Sequence, residues 1–224
     1  MRFATSVQRL TDVGNHGTVL PNGPEGLAVT ILDGRLRPRL DPTSTARAAS
    51  VLVLIFPDAD GDARIVLTER MSYDGHHSGE VSLPGGKAEA GDPDAVATAL
   101  REAGEEIGLD PVAAGVRVVG RLDEVFIPVS DFRITPIVAV ADRTPALGAN
   151  PAEVARILTP RVAAFLPEAE LEIVERTLDG WPLRYGGYRI EGLHVWGATG
   201  RILGQLGAIL GVAPTPVNHG PGSD

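Results

Sequence analysis

The chain has 224 residues, with 43% hydrophobic and 22% charged side chains, which suits one globular domain with a sizeable core. A formal charge of −9 argues against a general nucleic-acid surface, which needs a basic stripe. Zero cysteines exclude disulfides and thiol catalysis and fit a reducing compartment. The N-terminal residues lack an apolar signal core, and no apolar run reaches membrane-spanning length, so the expected location is the cytoplasm without membrane attachment.

Residues 1–46 read as a lead-in packed on the domain. They hold a short apolar patch (residues 27–32) among Gly, Pro and Asn, then an extended Pro-rich connection, and carry no chemical motif. Residues 48–56 (AASVLVLIF) are a continuous apolar run with β-branched members, which predicts a buried strand. Asp58, Asp60, Gly61 and Asp62 form a turn; they lack the spacing and terminal Glu of a calcium loop. Residues 63–68 are the returning strand of a hairpin, ending in Glu69 and Arg70. Residues 72–82 form a loop containing His76 and His77. No further side chain completes a zinc set with them, so the plainer reading is a solvated or structural pair.

Residues 83–109 (LPGGKAEAGDPDAVATALREAGEEIGL) carry the densest pattern. Asp92 followed by Pro93 predicts a helix start, with Asp as N-cap and Pro at the first helical position. Gly108 is the expected terminator. Within that helix Glu102, Glu105 and Glu106 stand at i, i+3 and i+4 and so share one face. Taken alone, such a cluster reads first as a solvated acidic face. Its members nevertheless repel one another and oppose the helix dipole. A hard divalent cation reverses both penalties, and carboxylate oxygens are what Mg²⁺ or Mn²⁺ prefers.

Downstream, residues 115–122 alternate like a half-buried strand, and residues 133–140 form another, with Pro136 suggesting an edge or a bulge. The intervening residues 125–132 read as a loop on the site rim. Asn150 to Val154 enters a short strand near residues 156–158, residues 160–166 a short helix, and residues 183–190 a strand. A last helix opens at residues 194–203 and continues to about residue 210, and residues 212–224, rich in Pro, Gly and Asn, are a tail. Residues 47–211 thus form one domain. Strands interleaved with two long helices predict an α/β/α sandwich around a central mixed β-sheet.

The stretch from Gly86 to Leu109 resembles the Nudix box. Gly86 supplies its first glycine and residues 101–109 (REAGEEIGL) its second half. Asp92 stands where the first Glu of the box is expected, with one extra residue before Arg101. The combination of Gly85-Gly86-Lys87-Ala88-Glu89-Ala90-Gly91-Asp92 with Thr98-Ala99-Leu100-Arg101-Glu102 is similar to the coenzyme A pyrophosphatase branch. Leu67-Thr68-Glu69-Arg70, His77-Ser78-Gly79, Pro84-Gly85-Gly86 and the run from Trp196 to Leu203 agree with that branch. Asp74 and Gly75, where Leu-Arg is expected, Glu80 for Gln, and Leu83 for Phe depart from it. Gly75 removes a guanidinium that would pair with phosphate.

The resemblance implies a metal-dependent hydrolase of a diphosphate linkage. Glu102 and Glu106 would hold Mg²⁺ or Mn²⁺ with help from Glu105 and the Gly86 carbonyl. Arg101 would orient Glu105, with an ordinary i,i+4 helix pair as the plainer role. Glu105 or Glu153 would accept the proton, an exposed strand-end Glu being the plainer reading of Glu153. Arg70, His77 and Gly85 are the expected substrate contacts. The implied partner is a small-molecule diphosphate, with coenzyme A first and ADP-ribose or a dinucleoside polyphosphate as the alternative. A non-catalytic nucleotide-sensing domain is the reading from a different class. A homodimer is compatible with the sequence.

Overall fold

Residues 47–57 alternate their side chains between two apolar layers, and this one strand defines the architecture. The computed structural model describes residues 1–11, 19–32, 46–71, 80–128, 130–178 and 180–211. In chain order the described strands are β1 (Thr30–Ile31), β2 (Arg47–Pro57), β3 (Ala63–Ile65), β4 (Leu67–Arg70), β5 (Val81–Ser82), β6 (Gly85–Lys87), β7 (Val116–Arg121), β8 (Val125–Ile127), β9 (Phe132–Ala141), β10 (Val154–Leu158), β11 (Glu172–Leu178), β12 (Trp181–Ile190) and β13 (Leu193–Val195). The helices are α1 (Phe3–Leu10), α2 (Ala95–Ile107), α3 (Pro111–Ala114) and α4 (Gly197–Gly211).

The central sheet runs β3-β2-β9-β7, with β6 added beside β2 and β8 beside β9. Strands β2 and β9 are parallel and the others antiparallel, so the sheet is mixed as expected. Leu52, Leu54 and Phe56 of β2 face one way, with Ile137, Ala139 and Ala141 of β9, and pack on Ala99, Ala103 and Ile107 of α2. Val53, Ile55, Val138 and Val140 face the other way, onto Leu203, Leu206 and Leu210 of α4. Each fully buried Leu or Ile contributes roughly 1.5–3 kcal/mol, so both helices are held by their apolar stripes. The result is the helix–sheet–helix sandwich read from the sequence. No helix among the described residues is long and apolar enough to cross a membrane.

Two smaller sheets flank this core. Strands β10-β4-β5 form one, and β1-β12-β11 with β13 beside β12 form the other. The hairpin predicted over residues 48–68 is present, but its return breaks at Val66. β3 stays with β2, while β4 leaves to pair with β10 and β5. That break carries Arg70 out of the central sheet and next to Val154.

Several expectations are corrected. Pro136 lies on neither an edge strand nor a bulge residue of its own: β9 is central. The proline sits between the stretch paired with β8 and the stretch paired with β7, where its missing N–H costs no ladder bond on that side. Residues 125–127, read as loop, are strand β8. Residues 172–178 form strand β11, which was not foreseen. The last helix begins at Gly197, because His194 and Val195 belong to β13. The lead-in holds helix α1, and Leu10 and Leu27 are buried with the α4 side of the core. The C-terminal stretch 212–224 lies outside the described residues.

Candidate active site

Helix α2 is started by Asp94, not by Asp92. The Asp94 carboxylate accepts the Ala97 N–H at 2.8 Å, and Asp94 has the extended backbone of an N-cap. Asp92 is thereby free for another role. Its two oxygens accept a fork of hydrogen bonds from Arg101, Nε to Oδ1 at 3.0 Å and Nη2 to Oδ2 at 3.1 Å. The Glu89 N–H and the Thr98 hydroxyl, both at 2.9 Å, complete the cradle. The Arg101 guanidinium therefore holds the Asp92 carboxyl well below the ordinary carboxylate range, and Asp92 in turn raises the proton affinity of Arg101. This anchoring pair was missed in the sequence. Its signal was Asp94 two residues on, a cap of equal quality that leaves the acidic box position unspent.

Arg101 uses its remaining donors on the site. Nη1 donates to Glu105 at 3.0 Å, Nη2 donates to the Lys87 carbonyl at 3.1 Å, and the same nitrogen lies 3.0 Å from Glu102 Oε1. One guanidinium thus ties the box loop, β6 and two of the three glutamates together.

The loop residues Gly85 and Gly86 sit against this helix for steric reasons. Gly85 has φ +150°, and a Cβ there would stand 2.3 Å from the Ser50 carbonyl oxygen. Its N–H donates to Glu106 Oε2 at 3.0 Å. A Cβ on Gly86 would stand 2.6 Å from the Glu102 carboxylate, so only glycine lets that carboxylate lie against the strand.

Burial differs along the acidic face. Glu106 is 4% exposed, the Glu102 side chain 15% and the Glu105 side chain 55%. Burial pushes the Glu106 carboxyl up to about 7, and the negative charges of Glu102 and Glu153 add to the rise, against the Gly85 N–H and the Arg70 charge. Burial also raises Glu102, which Arg101 opposes. The face is therefore not a solvated one.

Glu153 is brought to this face by the loop before β10. The Asn150 N–H donates to the Glu106 carbonyl at 2.8 Å, and the Gly148 N–H to the Ile107 carbonyl at 2.9 Å, so the loop caps the end of α2. The Asn150 side chain accepts the Ala152 N–H at 3.1 Å and approaches Glu153 Oε1 at 3.5 Å. Arg70 lies across from Val154, and its Nε is buried with no acceptor among the described residues. His77 lies outside the described residues.

The donor set fits a hard divalent cation. Glu102 and Glu106 are carboxylates one turn apart, the Gly86 cradle is filled by Glu102, and among the described residues no cation pairs directly with the buried Glu106. Among the described residues no three acidic or histidine side chains converge as a ready cage. Arg101 holds both Glu102 and Glu105 at 3.0 Å, and of the three glutamates Glu105 is the exposed one.

A family model described as NUDIX domain matches residues 46–177. Among curated proteins, Nudix hydrolase 15, mitochondrial, from Arabidopsis thaliana is 39% identical over 163 residues, covering 70% of this chain and 56% of its own length. Nudix hydrolase 22, chloroplastic, from the same plant is 41% identical over 167 residues, covering 70% and 53%. The chain spans about half the length of these two relatives. A protein named Uncharacterized Nudix hydrolase NudL, from Salmonella paratyphi B, is 31% identical over 180 residues, covering 80% of this chain and 91% of its own. With the box glycines, Arg101 and the glutamate face assembled at one end of α2, this chain belongs to the Nudix hydrolase family.

Proposed function

We propose that this protein is a divalent-metal-dependent diphosphatase that hydrolyses a nucleoside diphosphate joined to a second group. The leading substrate is coenzyme A or a derivative, giving 3′,5′-ADP and 4′-phosphopantetheine. The observation that carries the reading is a buried glutamate, Glu106, held by the Gly85 N–H beside Glu102. Such a pair is unfavourable without a cation and has no purpose in a packing role.

Glu102, Glu106 and the Gly86 carbonyl are the residues that would hold Mg²⁺ or Mn²⁺. The ion, when bound, supplies charge neutralisation at the diphosphate and makes a nearby water more acidic. Arg101 keeps Glu102 and the box loop in place through its Asp92 anchor. Arg70, whose Nε–H has no acceptor among the described residues, would donate to a phosphate oxygen. Water attacks phosphorus, the anhydride P–O bond breaks, and the water proton passes to a carboxylate. Glu153 is the better acceptor of the two candidates, because Glu105 is engaged by Arg101 at 3.0 Å while the Glu153 carboxylate, among the described residues, meets a long amide contact with Asn150 at 3.5 Å. Gly85 acts by orienting Glu106 more than by touching substrate.

The coenzyme A assignment rests on the sequence pattern around the box and the run from Trp196 to Leu203. Gly75 and Glu80, which depart from that pattern, favour ADP-ribose or a dinucleoside polyphosphate as the second reading. A cytoplasmic location suits the cysteine-free composition. A panel of coenzyme A, ADP-ribose and dinucleoside polyphosphates with Mg²⁺ and Mn²⁺, read by phosphate release after phosphatase coupling, tests the proposal. Turnover of coenzyme A above the rest is expected. Silence across the panel would favour a sensing domain instead.

A further inference from the structure

One aromatic cluster sets a buried tyrosine beside a partly exposed tryptophan. Tyr185 of β12 and Trp196, just before α4, are stacked with ring centroids 4.3 Å apart and planes at 25°. The Arg176 guanidinium of β11 lies 5.0 Å from the Trp196 ring centre and 5.7 Å from that of Tyr185. His194 adds a tilted ring 5.9 Å from Tyr185. Neither Tyr185 nor Trp196 belongs to the clusters that pack α2 or α4 on the sheet. In a chain with only 4% aromatic residues, that placement calls for a reason.

The cluster is built, not incidental. Gly187 leaves room for His194: a Cβ there would stand 2.5 Å from the imidazole Nε2. Arg176, Tyr185 and His194 share one face of the β11-β12-β13 sheet, by the strand registers Val174↔Tyr185, Arg176↔Leu183 and Arg189↔His194. Tyr188 and Ile190, on the other face, pack into the core.

The cluster also adjoins the box site. Strand β13, which carries His194, packs against β5, and Glu80 immediately precedes β5. The Glu80 carbonyl accepts the Arg70 N–H at 3.0 Å. Arg70 thus sits on the strand pair, β4 and β5, against which β13 packs.

A partly exposed indole with a guanidinium nearby is the chemistry that takes a flat, electron-poor heterocycle by stacking. We propose that Trp196, backed by the buried Tyr185 and by Arg176, stacks on the purine base of the substrate while its diphosphate lies at Arg70 and the glutamates. The proposal rests on the diphosphatase reading and deepens it. Coenzyme A, ADP-ribose and diadenosine polyphosphates all carry adenine on a diphosphate, so the site serves each of them and does not choose among them.

The test uses the tryptophan itself. Trp181→Phe removes the other tryptophan, which is half exposed at the start of β12, and leaves Trp196 as the sole indole. Adenosine and ADP are expected to change Trp196 emission saturably, whereas inorganic pyrophosphate is expected to leave it unchanged. In steady-state assays Trp196→Ala is expected to raise KM for the adenine-bearing substrate about tenfold with kcat nearly kept, and Trp196→Phe to restore most of the loss. Emission indifferent to adenosine and ADP, equal responses to pyrophosphate and ADP, or an unaltered KM in folded Trp196→Ala would each overturn the proposal. If Trp196→Ala does not fold, the titration of the Trp181→Phe protein decides alone. Should the diphosphate panel show no turnover, the diphosphatase reading fails, and the emission titration still reports whether a base site exists.

Discussion

Asp92 and Arg101 meet through two nearly parallel hydrogen bonds of 3.0 and 3.1 Å, and this pair, rather than a helix cap, is what the acidic residue before Pro93 provides. Because Arg101 also touches Glu102, Glu105 and the Lys87 carbonyl, the position of the whole glutamate face depends on a residue outside the helix. Asp92→Asn keeps the shape but weakens the fork. It is expected to lower kcat by up to about a hundredfold with a smaller change in KM, since an ångström of misplacement can cost that much. Asp94→Ala, by contrast, removes the true cap: a loss of about 1 kcal/mol in urea unfolding is expected, with activity kept.

The same pair leaves an acid signature. Asp92 is held below its ordinary value of 3.8, so its contribution to stability is fully present above that pH and is lost as the pH falls toward the lowered value. Urea midpoints of the wild type should approach those of Asp92→Asn as the pH is brought down through about 4 to 2. A constant gap across that range would show that the fork is not what shifts the carboxyl.

Glu106 behaves in the opposite sense. Its carboxyl is raised from 4.5 to about 7 in the folded chain, so the folded state binds the extra proton and stability falls as pH rises between those values. In chelator at pH about 8, Glu106→Gln is expected to be more stable than the wild type, by on the order of 2 kcal/mol, and to lose the slope. Saturating Mg²⁺ or Mn²⁺ should raise the wild-type Tm and leave Glu106→Gln unmoved. Turnover of that variant should fall about a thousandfold. Near-normal turnover with Mg²⁺ saturating would remove Glu106 from the metal role.

The two box glycines should fail differently. In Gly85→Ala the new methyl meets the Ser50 carbonyl at 2.3 Å, a backbone atom that cannot step aside, at a φ that L side chains avoid. A stability loss of about 2–3 kcal/mol is expected from thermal unfolding. In Gly86→Ala the methyl meets only the end of the Glu102 side chain, which can rotate away. The fold should survive while divalent binding, followed by calorimetry, weakens.

Glu153 and Glu105 can be separated by their kinetics. Glu153→Gln is expected to lower kcat by about 10²–10⁴-fold with KM little changed. Glu105→Gln, which loosens one arm of Arg101, should cost much less. The reverse order would make Glu105 the base.

What the chain's letters determined was local: the apolar run of residues 48–56 as a buried strand, the i, i+3, i+4 spacing of Glu102, Glu105 and Glu106, the stop at Gly108. Each of these follows from the period of one element or the φ of one residue, and needs no neighbour. The choice between Asp92 and Asp94 as the cap, the departure of β4 from β3, the central place of β9 despite Pro136, and the pairing of Arg70 with Val154 were decided only in three dimensions. Two aspartates two residues apart have nearly equal capping propensity, and a guanidinium nine residues along the chain settles which one caps. Burial, which turns three like charges on a helix into one buried, one half-buried and one exposed carboxylate, depends on the strand that packs against them and leaves no mark in the spacing.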